Sequence, residues 1–444
     1  MAYQQENRIC QNCKKDFIIE PDDFGFYEKI SNTFGAEITT PEICPECRQQ
    51  LRTLFRNFKT LYKRTSSKSG KSLISVYHEN APFPVYSVDE WWSDDWDPMS
   101  YKIDLDLNKP FFEQVKELFV AVPRIGVMNT RCENCEYSNQ IDNSKNCYFA
   151  FGCLEGEECD YSHIIWNCTF SIDCLYVFKC EGCYECIDCL GSNKLFYSEE
   201  CENCIESVGL FDCRGCLNCI GCVGLVSKSY CIFNKQVTRE EYLEFLERYP
   251  LYKKESIDYI LSEREKLKTS LPQRAFFGSR NNSVSGNHIY NAHNVHNSFD
   301  IKSGENSKYC FTARKVIDSY DISFTGDAEE CFNSLTMLGG NKVIGSQTIV
   351  DSHDVYYSEY CYNSNNIVGC YGLRKKSYCI LNKQYSKEEY NSLLPKIIEL
   401  IKKENGFGNF FPKEFSPFGY NEAIVNEYMP LNKEEALRLG FTWR

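Results

Sequence analysis

No run in the 444 residues comes near the ~18 consecutive apolar side chains that a membrane-spanning helix needs. A phosphate loop, a nucleophile elbow and a dinucleotide fingerprint are also missing, which removes the common nucleotide-dependent and serine-hydrolase chemistries. Histidine is scarce at six residues. His288, His293, His296 and the His353-Asp354 pair read as surface groups in repeat turns, not as acid–base catalysts. Positive charge is in deficit. A net charge of −13 disfavours whole-protein adhesion to nucleic acid or to an acidic membrane. The opening Met-Ala-Tyr-Gln-Gln-Glu-Asn does not read as a signal peptide, so a cytoplasmic, reducing location is expected. In that compartment the 27 cysteines are expected to be thiols or metal ligands, not disulfides.

What is present starts with two knuckles. Cys10-x-x-Cys13 and Cys44-Pro-Glu-Cys47 each place two thiolates within reach of one tetrahedral ion, and the pairing predicts a zinc ribbon over residues 1–71. Four thiolates leave no open coordination position, so the expected ion is structural. Phe17, Ile18, Ile19, Phe24, Phe26 and Tyr27 are expected to form a small hairpin core around it. Residues 48–71 contain eight Lys or Arg and no Asp or Glu. Helical spacing of Leu51, Leu54, Phe55, Phe58, Leu61 and Tyr62 predicts a helix to about Arg64. Arg48, Arg52, Arg56, Lys59, Lys63 and Arg64 are its candidate surface for RNA or another partner. The competing reading is a solvated or acid-paired face docked on the acidic remainder.

Residues 72–130 predict an α+β connector that caps a repeat body. A strand is expected at 73–77, a capping box at Ser87-Val-Asp-Glu90 and an apolar helix over 110–122. Trp91, Trp92 and Trp96 lie among Asp94, Asp95 and Asp97. Such residues can make a carbohydrate site, but burial against the repeat body is the favoured role.

From Cys132 to Cys231 every cysteine falls at a residue number divisible by three, and the other positions on that beat are small or apolar. A period of three fits neither a helix nor a simple strand. The segment beginning Gly221-Cys-Val-Gly-Leu recurs from Gly369-Cys-Tyr-Gly-Leu, 148 residues later, and both copies end in Tyr-Cys-Ile-(Phe/Leu)-Asn-Lys-Gln. At this offset Cys147 faces Val295, Cys153 faces Ile301, Cys168 faces Val316 and Cys189 faces Met337. Metal ligands do not tolerate such exchanges and buried small hydrophobes do, so most of these cysteines are expected in the core. The spacing of Ile289, Cys310 and Cys331 suggests coils of eighteen to twenty-one residues. The predicted class is therefore mainly β: a duplicated three-sided β-solenoid with flanking helices, its copies at 131–270 and 271–405. Thr238-Arg-Glu-Glu241 and Ser386-Lys-Glu-Glu389 predict matching capped helices, and residues 406–444 an aromatic tail docked on the body.

CPECR at 44–48, EWWSDDWDP at 90–98, NCYFAF at 146–151, the paired YCI(F/L)NKQ segments and SPFGYNEAIVNEYMPLNKEEAL at 416–437 extend over nearly the whole chain. In these the chain resembles a family of cysteine-rich proteins, a zinc ribbon followed by repeats, from small-genome uncultivated bacteria. The resemblance implies a zinc ribbon on a repeat body and assigns no activity. The expected function is a zinc-binding scaffold that recognises a protein or RNA partner through the ribbon, its basic helix and the solenoid faces. No membrane partner and no small-molecule substrate is indicated. The alternatives are metal or redox work by the first copy, whose Cys183-x-x-Cys186-x-x-Cys189 run lacks the prolines of ferredoxin patterns, and an acyltransferase-like or carbohydrate-active enzyme.

Overall fold

In the computed structural model, which describes residues 3–444, the residue just before each inward position of the cysteine-rich stretch has a positive φ. Arg131, Asn134, Tyr137, Gln140, Asn143, Asn146 and Phe149 open the series with φ between 48° and 61°. The left-handed region suits glycine and asparagine and costs other L-residues about 1 kcal/mol or more. Gly182, Gly191, Asn203, Gly215 and Asn218 meet that demand, while Ile164 and Tyr176 are held there by their neighbours. Each such residue turns the chain, so one side of the coil is three residues long and four sides complete it.

The parallel register fixes the coil length. Glu133 pairs with Lys145, His163 with Leu175 and Leu217 with Ser229, a step of twelve residues that holds along the first ladder. The second ladder opens with a step of eleven, Gly278 to Ile289, and then also advances by twelve, as in Ile349 to Cys361. The expected three-sided coil of eighteen to twenty-one residues does not form. A period-three inward pattern matches any coil length divisible by three, so the spacing of Ile289, Cys310 and Cys331 carried no information about closure. The corners decide it.

A coil this narrow is filled by small and aliphatic side chains, and it leaves inward-facing backbone groups to be satisfied from within. Serine does this in both directions. Ser162 Oγ donates to the Asp160 carbonyl at 2.8 Å and accepts the Cys174 amide from the next coil at 3.1 Å. Cysteine makes the same bonds at longer range: Cys186 Sγ lies 3.1 Å from the Leu195 carbonyl, Cys168 Sγ 3.3 Å from those of Trp166 and Val177, and Cys180 Sγ accepts the Ser192 amide at 3.3 Å. This explains why Ser307, Ser334 and Ser352 of the second copy stand opposite Cys159, Cys186 and Cys204 of the first. From Cys147 to Cys231 the thiols are buried and free, and only Cys132 and Cys135, in the opening coil, are partly exposed.

The duplicated Asn-Lys-Gln motif closes each ladder. Asn234 holds both the amide and the carbonyl of Val223 at 2.8 Å, and Asn382 holds those of Tyr371 at 2.9 Å. The chain then folds back as a short antiparallel strand that covers the edge.

Helices are α1 (Pro21–Phe34), α2 (Pro45–Thr53), α3 (Val88–Trp92), α4 (Phe111–Ala121), α5 (Arg239–Arg248), α6 (Lys254–Ser270) and α7 (Lys387–Glu404). The capping boxes at Ser87, Thr238 and Ser386 form as expected. The chain divides into two units in place of five domains. One contains residues up to Leu73, Tyr77–Ile125 and Phe276–Arg444; the other contains Ile74–Val76 and Gly126–Ala275. The cysteine module, connector, second ladder and tail therefore share one body. In the other, Ile260 of α6 packs with Tyr242 of α5 and with Ile220 on the first ladder.

The interior bonding gives a direct test. Ser358 Oγ donates to Tyr356 O at 2.9 Å and accepts the buried Cys370 amide at 3.0 Å. Ser358→Ala is expected to cost about 1–3 kcal/mol by denaturant unfolding, because that amide loses its partner, and Ser358→Cys to cost less. An equal cost for the two variants would contradict the exchange of roles.

Candidate metal centre and the basic segment

Strands β1 (Glu6–Ile9) and β2 (Asp16–Ile19) pair antiparallel and carry the first knuckle at their turn. Cys44 is the N-cap of α2, so the second knuckle spans the start of a helix. Phe17 and Ile19 pack with Cys10, Cys44 and Cys47, whereas Ile18 faces outward. Phe26 and Tyr27 lie on α1 and turn away from the thiols, a correction to the expected hairpin core. Pro21 at the helix start and the Glu20-to-Asp23 capping bond begin α1 before the hairpin can extend.

The four sulfurs of Cys10, Cys13, Cys44 and Cys47 lie within 4.8 Å of one another. Cys13 and Cys44 are 3.7 Å apart, close to the ~3.8 Å edge of a tetrahedron with metal–sulfur bonds of about 2.3 Å. Thiolate charge is met by donors: the amides of Cys13 and Cys44 reach Cys10 Sγ at 3.5 and 3.3 Å, and Asn12 Nδ2 reaches Cys47 Sγ at 3.2 Å. Burial raises the Cys10 thiol, but the backbone amides of Cys44, Cys13 and Asn12 outweigh it and bring it to about 6. Burial pushes Cys47 up to about 11. The group could hold a metal ion in a closed, all-thiolate shell. Among the described residues, no other group of three or more thiols converges in this way.

The basic segment does not present the expected surface. Helix α2 stops at Thr53, because the Asn57 side chain bonds both the amide and the carbonyl of Thr60 and turns the chain. Tyr62–Thr65 is a strand. Arg48, Arg52, Arg56 and Arg64 are buried. Arg48 Nε lies 2.9 Å from one oxygen of Asp321 and Arg52 Nη1 3.1 Å from the other, with Asp321 itself fully buried. Arg52 also reaches Asn333 Oδ1 at 3.0 Å, Arg48 the Ile43 carbonyl at 2.8 Å, and Arg56 bonds Thr336 and lies over the Phe58 and Phe324 rings. Arg64 donates to His78 O at 2.9 Å. A guanidinium enclosed this way has no access to a phosphate. Lys63 is exposed, and Lys59 pairs half-exposed with Glu427 at 3.0 Å. The acid-paired, docked reading therefore describes Arg48 and Arg52, while Arg56 and Arg64 are buried on neutral partners.

The docking partner is one face of the second ladder. Lys308, Tyr309, Tyr320, Asp321, Phe332 and Asn333 stack there at twelve-residue intervals, with Tyr309, Asp321 and Asn333 on left-handed corners. Phe26 of α1 stacks on Tyr320 at 3.6 Å, and Lys308 pairs with Asp23 at 2.9 Å and with Glu20. Sequence reasoning missed these acceptors. Their signal was the corner position itself, where Asp and Asn tolerate positive φ and project outward.

Other candidate sites resolve structurally. Trp91 is buried, its indole donating to Pro123 O at 3.1 Å, and Arg374 lies 4.3 Å from its ring centroid. Trp91 and Trp92 thus pack on Tyr362 of the second ladder, with Trp96 half-buried beside them. His353 pairs with its neighbour Asp354 at 2.8 Å on the surface, and His296 lies among Ser283, Ser285 and Asn294. The tail docks as expected: Phe410 and Phe411 are buried against Phe55.

Removing one member of the buried triad strands the others. Asp321→Ala is expected to destabilise the chain by about 3–5 kcal/mol in denaturant unfolding. The same change combined with Arg48→Met and Arg52→Met should cost much less; equal losses would show that the charges are not coupled.

No protein-family model matches the chain, and no curated protein matches it.

Proposed function

We propose that the protein is a non-enzymatic binding scaffold in which two four-sided β-solenoids serve as docking rails and the four-cysteine group holds one structural zinc. The observation that supports this most strongly is within the molecule: one face of the second ladder binds α1 and α2 through a stacked aromatic, two buried arginine contacts and a lysine pair. Zinc suits an all-thiolate tetrahedral shell and has no redox chemistry of its own. Its role is to fix the start of α2, from which Arg48 and Arg52 reach Asp321. With these arginines enclosed, a protein partner is favoured over RNA. Free thiols throughout fit a reducing compartment, the cytoplasm, and among the described residues no helix is long and apolar enough to cross a membrane. The resemblance to zinc-ribbon repeat proteins supports the same reading.

Metal analysis of the purified full chain, with mass spectrometry of what co-purifies after nuclease treatment, tests the proposal. One zinc per chain, no iron, loss of the zinc in Cys44→Ser and a nuclease-resistant protein partner are expected. Bound iron, or association that disappears with nuclease, would overturn it.

A further inference from the structure

The two ladders are copies, but this face is covered in only one of them. Displacement by 148 residues takes Tyr309 to Tyr161, Tyr320 to Ile172, Asp321 to Asp173, Phe332 to Tyr184 and Asn333 to Glu185. The backbone keeps the correspondence. Tyr161, Asp173 and Glu185 sit at left-handed corners with φ of 51°, 54° and 53°, as Tyr309, Asp321 and Asn333 do at 58°, 58° and 46°. Ile172 pairs with Tyr184 on the first ladder as Tyr320 pairs with Phe332 on the second.

Exposure separates the two faces. Tyr320 is 7% exposed and Asp321 fully buried beneath α1 and α2, whereas Tyr161 is 56% and Ile172 39% exposed, with Asp173 and Glu185 open to solvent. The aromatic strip continues into the preceding coil through Phe149 and Tyr148, 6.1 and 5.6 Å from the Tyr161 ring. Contiguous exposed aromatics on a regular β-face are a recognition surface more often than chance exposure.

Charge selects the occupant. Where the covered face has Lys308 and Asn333, the open face has Asp160 and Glu185, and Asp173 keeps the carboxylate that holds two arginines in the copy. Nucleic acid and anionic lipid are repelled by such a strip. A guanidinium gains twice, from the carboxylates and from the tyrosine faces. Resting on the scaffold reading, we infer that the face formed by Tyr161, Ile172, Asp173, Tyr184 and Glu185 docks an arginine-bearing helix of a partner protein. The helix lies as α2 does on the second ladder, with arginines four residues apart converging on Asp173.

The probe is a fluorescent alanine-based helical peptide with arginines at i and i+4, the spacing of Arg48 and Arg52 on α2. Titrated with the full chain, it should bind, and Asp173→Lys should weaken it at least tenfold. Tyr161→Ser should weaken it too, while the equal charge change Glu244→Lys on α5 should leave it within twofold. Equal affinity for a peptide with glutamates in place of the arginines, or no effect of Asp173→Lys in a variant with unchanged circular dichroism, overturns the inference. A photo-crosslinker replacing Ile172 supplies the second arm, and its product should map to a basic helix of another protein. Crosslinks to RNA or to a second copy of this chain overturn it. If the peptide fails while a protein partner still co-purifies, the docking face is wrong and the scaffold reading stands.

Discussion

A left-handed residue at every third position of the first ladder, and at most such positions of the second, is the constraint on which the rest of the molecule depends. It shortens each side to three residues, closes a coil at twelve and brings every inward side chain to the same narrow axis. That axis is filled by small and aliphatic side chains and leaves backbone groups facing inward. Serine and cysteine answer both demands, being small enough to stack and able to donate to a carbonyl two residues back and to one in the next coil. The cysteine content follows from this geometry. The thiols of the first ladder are packing and hydrogen-bonding groups, and among the described residues the thiols that converge as a metal could require are the four of the N-terminal knuckles.

The same corner residues carry recognition. Outward from the axis, a positive φ projects Tyr309, Asp321 and Asn333 from one edge, and α2 is held against that edge by charges that are fully enclosed. An enclosed carboxylate between two guanidinium groups is costly to form and costlier to break, so it specifies one docking geometry. The four-cysteine group acts upstream of it, since Cys44 begins the helix whose next turns supply both arginines.

Much of this was legible in the sequence. The knuckle spacing located the thiol cluster, the divisibility of the cysteine positions located the inward face, and the internal copy showed that most cysteines are core. The capping boxes at Ser87, Thr238 and Ser386 stood where their residues predicted. Coil length was hidden, because inward positions repeat identically at twelve, eighteen or twenty-one residues; only the Gly and Asn preceding them, such as Gly182, Gly191 and Asn203, hinted at a corner every third residue. The basic segment misled for a different reason. A run of arginines looks the same whether its acids are absent or lie far along the chain, and Asp321 lies 269 residues beyond Arg52. Asn57, whose side chain ends the helical path, was equally silent among polar neighbours.

Coil length is the claim from which the corners, the interior and both docking faces follow, and pairs of introduced histidines measure it directly. Thr169 and Glu181 are parallel neighbours on the outer face of the first ladder, where adjacent strands are about 4.8 Å apart. Histidines at these two positions should chelate nickel and bind it much more tightly than either single variant. Histidines at 169 and 187, or at 169 and 190, the separations of a three-sided coil, should show no gain. Chelation by either of those pairs, with none at 169 and 181, would contradict the twelve-residue coil.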